Sequence, residues 1–361
     1  MLNLINKTYL NKKVLVTGHT GFKGIWLVLW LKKLGADVVG YALEPEDVRG
    51  NLYNIADIDG KGVLSSHIND VRDLDSLNKV VQESKPEIIF HLAAQPIVRK
   101  SYSDPIETFG TNVMGTANLL EAVRGCDSVK AVVVVTSDKC YENLEQRKPY
   151  IESDKLGGHD PYSASKAAAE IVVTSYRKSF FADKALLASG RAGNVVGGGD
   201  FAQDRLIPDI VESIAKGEAV NIRNPNAVRP WQHVLDVLYG YLILGAKLNN
   251  SDEAIDCAFN FSPVDKNYVN VEQLTKKLIE TFGKGEYLVE NQDNILHEMQ
   301  MLYLDSQKAI SQLGWKPLLD IDNVIEFTCS WYKKHIEKNT DMYEFTMEQI
   351  EQYEKIIEQK G

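Results

Sequence analysis

From residue 13 onward the chain alternates short, unbroken apolar runs with longer segments whose apolar positions recur every three or four residues. "KVLVTG" (13–18), "DVVGYAL" (37–43), "EIIFHLAA" (87–94), "KAVVVVTS" (130–137) and "KALLASGRAGNVVG" (184–197) lack the alternation of half-exposed strands. Such runs predict strands buried on both faces. Between them, "FKGIWLVLWLKKLG" (22–35), "DVRDLDSLNKVVQESKP" (70–86), "DPIETFGTNVMGTANLLEAVRGC" (104–126) and "DPYSASKAAAEIVVTSYRKSF" (160–180) predict helices, the first closed by Gly35. Strand and helix in regular turn predict a parallel sheet covered on both sides, an α/β fold of the Rossmann, doubly wound type.

After about Asn194 the rhythm changes. "GGGDFAQDRLIPD", "IRNPNAVRPWQH" and "NFSPVDKNY" are loops rich in Gly, Pro, Asn and Arg between short elements, the texture of ligand-binding loops. The expected division is a dinucleotide-binding domain over 1–193 plus about 232–262, and a smaller, loop-rich α/β substrate domain over about 194–231 and 263–361. From "SWYKKH" to the end the pattern predicts one or two amphipathic surface helices.

Composition mainly excludes. At 361 residues, 44% hydrophobic and 25% charged, the chain suits one large domain or two of ordinary size. A net charge of −10 without a basic stripe argues against nucleic acid as a partner, though a few arginines can still bind a small anion. The four cysteines (Cys126, Cys140, Cys257, Cys329) form no CxxC pair; free thiols in a reducing compartment are expected, and no metal. "MLNLINKTYLNKK" has no long apolar stretch to act as a secretory signal. No run reaches the roughly 18 apolar residues of a membrane span. The expectation is a cytoplasmic protein with no membrane partner.

Two stretches carry the candidate chemistry. "VTGHTGFKG" sets Gly18, Gly21 and Gly24 between the first strand and the first helix. Glycines there let the backbone turn tightly and approach a pyrophosphate seated on the helix N-terminus. A ribose-binding carboxylate is expected at the end of the second strand; Ala42 stands at that place and Glu44 two residues later. With no arginine immediately beside it to take a 2′-phosphate, NAD is favoured over NADP. Asp70 follows a short expected strand and either meets the adenine or caps the next helix.

The second stretch is the end of the fourth long strand. "VVVVTSDKCYEN" stops abruptly on Ser137, Asp138 and Lys139. Downstream, "PYSASK" sets Tyr162 and Lys166 on one face of a helix. A lysine one turn from a tyrosine favours the phenolate and makes Tyr162 a usable acid or base.

The order TGxxGxxG, "HLAAQ", "TNVMGT", a hydroxyl at a strand end and YxxxK resembles the extended short-chain dehydrogenase/reductases that act on nucleotide sugars. "DSQKAISQLGWKP" (305–317) is similar to their C-terminal segment, and the resemblance covers roughly residues 10 to 330. "SDKCY", "RAGNVVGGGD", "DRLIPD" and "RPWQHV" look most like the CDP-glucose 4,6-dehydratase branch. The resemblance implies oxidation of the sugar at carbon 4, loss of water across carbons 5 and 6, and hydride return to carbon 6. Tyr162 would take the 4-hydroxyl proton, Lys166 would bind the nicotinamide ribose, and Ser137 would hold the same oxygen. Related dTDP-sugar dehydratases carry Asp-Glu where this chain has Asp138-Lys139. Asp138 is then the acid for the leaving hydroxyl. Lys139 is either the neutral base at carbon 5 or a charged group stabilising the enolate.

The cofactor contacts implied are Gly18, Thr20, Gly21, Phe22, Gly24, Glu44, Asp70, Val71, Leu92, Ala93, Ala94 and Asn112, with Tyr162 and Lys166. Gln95, Arg99, Asn194, Arg205, Arg223, Arg229 and His297 are expected at the nucleotide sugar, the arginines for their fork-like fit to diphosphate oxygens. The helices at 104–126 and 160–180 imply a homodimer or homotetramer. The alternatives are a 4,6-dehydratase for a GDP- or dTDP-linked sugar, and a nucleotide-sugar epimerase, which shares Tyr162 and Lys166 but needs no elimination pair.

Overall fold

The computed structural model describes residues 1–360 except 47–48, 145–147, 182–185, 223, 251–254, 256–257, 264–266 and 290–301. Its centre is a seven-stranded sheet. In chain order the strands are β1 (Lys13–Thr17), β2 (Asp37–Ala42), β3 (Ser65–Ile68), β4 (Ile88–His91), β5 (Ala131–Val135) and β6 (Leu186–Ala192), followed by the short β7 (Asn194–Val196), β8 (Val220–Ile222) and β9 (Val228–His233), then β10 (Ala258–Phe261). The spatial order is β10-β6-β5-β4-β1-β2-β3, and neighbouring strands pair parallel throughout. In register, Thr17 lies beside His91 and Val134 next to it in β5, so the carboxyl ends of the central strands share one edge. Loops leaving that edge form the site, as open α/β sheets dictate.

Successive residues of each strand face opposite sides. Val14, Val16, Ile88, Phe90, Val133 and Val135 join a core with helices Phe22–Lys33 and Val234–Asn249. Leu15, Ile89, Val132 and Val134 join a second core with helices Leu74–Ser84, Gly115–Arg124 and Pro161–Phe180. Both faces are covered, which is why the runs read as continuously apolar.

Several boundaries differ from the sequence reading. The run 184–197 is two strands parted at Gly193. A Cβ there would lie 2.6 Å from the Pro230 ring and 3.0 Å from the Asp138 carboxylate. From that point β7 leaves the large sheet and pairs parallel with β9, which pairs antiparallel with β11 (Tyr268–Asn270). A further small sheet joins β8 to β12 (Tyr287–Val289). The expected helix 104–126 is helix Pro105–Phe109, a π turn Gly110–Met114 and helix Gly115–Arg124. Asp104 caps its start by accepting from the Glu107 amide at 2.9 Å, with Pro105 at the first position. The segment read as helix from 70 begins at Leu74, because Asp73, not Asp70, caps it.

The closing helices, Ile321–Glu337 and Met342–Lys360, are more than surface dressing. Ile350, Tyr353 and Ile357 are buried in the larger core. The Tyr353 hydroxyl donates to Asp236 Oδ1 at 2.5 Å, and the Leu318 and Leu319 amides donate to the same carboxylate. The N-terminal helix Leu2–Tyr9, for which the sequence reading had no element, is pinned by Tyr9 donating to the Leu242 carbonyl at 2.7 Å.

Candidate active site

The glycine turn comes first. Gly18 adopts φ +76°, the left-handed region, and a Cβ on it would lie 2.7 Å from the Ala93 nitrogen. A Cβ on Gly24 would lie 2.0 Å from the Gly18 carbonyl oxygen, so only hydrogen lets helix Phe22–Lys33 close on the turn. Gly21 stands at the N-cap with no side-chain cap, leaving the first helical amides for a ligand. Thr20 donates to the Leu43 carbonyl at 2.9 Å, which ties the turn to the end of β2. Leu92, Ala93 and Ala94 lie half-buried after β4. A tight turn, no intervening side chain and an uncapped helix start fit a dinucleotide diphosphate.

Farther along the same edge, Glu44 is exposed just past β2. Asp70 does not cap a helix. It accepts from the Arg72 amide at 2.8 Å and from Arg72 Nε at 2.9 Å, and the guanidinium draws its carboxyl below the ordinary range. Val71 is buried against Gly115.

The reaction centre hangs on β5. Beyond Val135 the chain passes Thr136 and Ser137 into a 3₁₀ turn, Asp138–Cys140. Ser137 Oγ accepts from the Lys139 amide at 3.2 Å and donates to Asp138 Oδ1 at 2.9 Å. Helix Pro161–Phe180 is capped by Asp160, which accepts from the Ser163 amide at 2.9 Å, with Pro161 setting its first turn. One face of this helix brings Tyr162 and Lys166, both buried, towards the β5 end. Lys166 Nζ lies 3.5 Å from the Val135 carbonyl oxygen, and Lys139 Nζ lies 5.9 Å from the centre of the Tyr162 ring.

Burial dominates the electrostatics. It pushes the Tyr162 hydroxyl up to about 12, with the Ser137 hydroxyl and Arg205 pulling back. Burial is thus the leading influence on the tyrosine hydroxyl. Burial pushes Lys166 itself down to about 8, opposed by Glu170. The Asp138 carboxyl is raised by burial, against Lys139, Ser137 and Arg229. Its Oδ2 atom is buried with no hydrogen-bond partner among the described residues.

Ser137, Asp138, Lys139 and Tyr162 line one end of a cleft of about 370 Å³, together with Phe22 and Lys23. Asn194 and Arg229, where β7 and β9 begin, line its less buried part, with Arg205 at the N-cap of helix Leu206–Lys216. Arg205 pairs with Asp200 at 2.8 Å, and Arg99, also lining the cleft, pairs with Asp204 at 3.3 Å. A separate open hollow between Leu74 and Gly125 gathers no comparable cluster.

Gln95 and Asn112 do not line the cleft. Asn112 accepts from the Gln95 amide at 2.8 Å and donates to Ser165 Oγ at 2.8 Å. Gln95 donates to Thr108 Oγ1 at 2.8 Å and accepts from the Ile97 amide at 2.6 Å. Both amides are consumed in holding the π turn against the neighbouring loop and helix. Arg223 and His297 fall outside the described residues.

Lys23, Asp160 and Asp200 line the cleft and were not singled out from sequence. Lys23 had a readable signal: it is the sole charge in "FKGIWLVLWL". Burial, with Lys166 and Arg205, pushes it down to about 7.

A parallel sheet with a glycine cradle on its first strand, and a serine, tyrosine and lysine at the end of a central strand, defines a dinucleotide-using enzyme of the extended short-chain dehydrogenase/reductase class. Residues 15–328 match the family model described as GDP-mannose 4,6 dehydratase, and the chain belongs to that family of nucleotide-sugar 4,6-dehydratases. Among its relatives, the CDP-glucose 4,6-dehydratase of Salmonella typhimurium is 45% identical over 348 residues, spanning 95% of this chain and 96% of that protein. The UDP-glucose 4-epimerase of Thermus thermophilus, solved with NAD, superposes with a TM-score of 0.76 at 25% identity, covering 91% of this chain and 100% of that one. The dTDP-glucose 4,6-dehydratase of Bacillus anthracis, at 23% identity and TM-score 0.74 over 91% and 98%, shares the fold.

Proposed function

We propose that the chain dehydrates CDP-glucose to CDP-4-dehydro-6-deoxyglucose. NAD, held by the glycine turn, supplies the hydride chemistry at carbons 4 and 6. Tyr162 takes the proton of the 4-hydroxyl while Ser137 holds the same oxygen. Once carbon 4 is a carbonyl, the proton on carbon 5 is acidic, and the 6-hydroxyl can leave if it receives a proton. Asp138 gives that proton: burial favours its protonated form, its Oδ1 accepts from the Ser137 hydroxyl while Oδ2 has no hydrogen-bond partner among the described residues, and the residue lines the cleft with Lys139 and Tyr162. This carboxyl carries the reading, because an epimerase needs no acid for a leaving hydroxyl. Lys139, which lines the same cleft with Asp138 and Tyr162, acts as the base at carbon 5. Arg205 and Arg229 receive the diphosphate, with Asn194 lining the same cleft.

The same reading extends to assembly. Ile106, Met114, Ile171 and Phe180 are large apolar side chains exposed on helix Pro105–Phe109, the π turn and helix Pro161–Phe180, which supports a homodimer or homotetramer built on those faces. Cys126, Cys140 and Cys329 are free and buried, in keeping with a cytoplasmic enzyme. Among the described residues no helix is long and apolar enough to cross a membrane.

The test is incubation with CDP-glucose and its dTDP, GDP and UDP counterparts, followed by mass analysis. A product lighter by one water, formed fastest from CDP-glucose, is expected. An unchanged mass with inverted carbon 4 would make the protein an epimerase. Lys139→Ala is expected to reduce NAD yet fail to exchange the carbon-5 proton with solvent; full turnover by that variant removes Lys139 as the base.

A further inference from the structure

Behind the cleft lies a buried ion pair for which the chemistry above has no use. Glu170, one turn after Lys166 on helix Pro161–Phe180, meets Arg191 of β6 at 2.7 Å, the side chains being 2% and 4% exposed. Glu170 also accepts from the hydroxyls of Thr136 and Ser189. Arg191 reaches onward to the Tyr141 hydroxyl at 2.8 Å and the Glu152 carbonyl at 3.2 Å. The pair thus joins the helix bearing Tyr162 and Lys166 to the residue before Ser137 and to the segment after Lys139. Stability alone does not account for it, since dehydrating both charges offsets most of their attraction.

Resting on the proposed reaction, we infer that Glu170 and Arg191 form a positioning pair: Glu170 holds the helix carrying Lys166 and the Ser137 strand end in register and sets a negative charge one turn from Lys166, and Arg191 balances that charge. Around Lys166, His91 faces it from β4 and is neutral, pushed down to about 3. The Cys140 thiol, after β5, is pushed well up. Lys23, from helix Phe22–Lys33, titrates near the same range as Lys166. Glu170 presents Lys166 with an opposite charge, and Arg191, paired to Glu170, carries the like one. Removing the glutamate anion releases the lysine proton at lower pH; removing the arginine cation retains it to higher pH. General damage to the fold would move both variants the same way.

The experiment titrates NAD into wild type, Glu170→Gln, Arg191→Met and the double variant across pH 6 to 9.5 by calorimetry, and repeats the series with Lys23→Met to remove the neighbouring titration. NAD affinity is expected to weaken as Lys166 loses its proton. The midpoint should fall by about one unit in Glu170→Gln, rise in Arg191→Met and return near wild type in the double variant. On the nucleotide sugar, Glu170→Gln should lower kcat about tenfold with KM within about twofold. Midpoints that stay put, or move the same way in both single variants, overturn the inference. If a charge variant does not fold, Glu170→Asp and Arg191→Lys take its place: kcat should fall with the midpoint unmoved, and an unchanged kcat overturns the inference. A wild type that binds NAD but converts no CDP-glucose sinks the proposed reaction, while the midpoints still judge the pair.

Discussion

The two ends of the cleft are built on different principles. At the sheet end, Ser137, Asp138, Tyr162 and Lys166 are buried, set on a strand end and a capped helix, and backed by Glu170 and Arg191. At the outer end, Arg99 and Arg205 are about a third exposed or more, at 40% and 31%, and pair with carboxylates on one loop. In the proposed reaction the first arrangement fixes atoms and withholds water and so governs rate; the second offers more exposed cations to a diphosphate and so governs capture. Substitutions at the two ends should therefore separate in kcat and KM.

Tyr162→Phe is the sharpest break. It should cost about 10²- to 10⁴-fold in kcat with an unchanged melting temperature; retained turnover would dissolve the distinction between the ends. Asp138→Asn should slow water loss about 100-fold, and reduced nicotinamide should accumulate in a single-turnover absorbance trace because oxidation at carbon 4 is spared. At the outer end, Arg229→Ala should raise KM about tenfold or more through a lost charge-assisted contact, with kcat little altered; a pure kcat loss would place Arg229 with the chemistry instead.

A separate effect, on stability rather than turnover, concerns acid. Burial pushes His91 and His233 down to about 3 and His19 to about 4. Below the ordinary value of about 6.5 the unfolded chain takes up protons that the folded chain refuses. The stability these groups confer is thus full above about pH 6.5 and is lost as pH falls towards their folded values. At pH 5 the loss is about 2 kcal/mol for each fully buried histidine. Urea midpoints measured at pH 7 and pH 5 test this, and equal midpoints refute it.

The same contrast explains what could be read from the chain alone. β1, β4 and β5 were legible because burial on both faces forces unbroken apolar runs, and Asp160 and Pro161 mark the start of the catalytic helix in plain sequence. Gly18 and Gly24 were legible because no other residue fits those contacts. Gln95 and Asn112 hold backbone amides as well as side chains, a use no local pattern announces, because an amide near a site can serve the backbone as readily as a ligand. The break at Gly193 depends on Pro230 and Asp138, distant in sequence, so no local pattern announces it. Glu170 and Arg191 were missed for the same reason: their meaning lies in a pairing across 21 residues.

Asp236 gives the far end of the chain a role in every other part. Its carboxyl, pushed up to about 6 by burial, is satisfied in part by Tyr353, and the Trp30 indole donates to Glu354 on the same final helix. Trimming the protein ahead of Met342 would strand an acid in oil and bare the back of the very helix whose opposite tip meets the glycine turn. Shortened versions should clump rather than merely weaken, and a reporter fused there is better joined through a generous spacer.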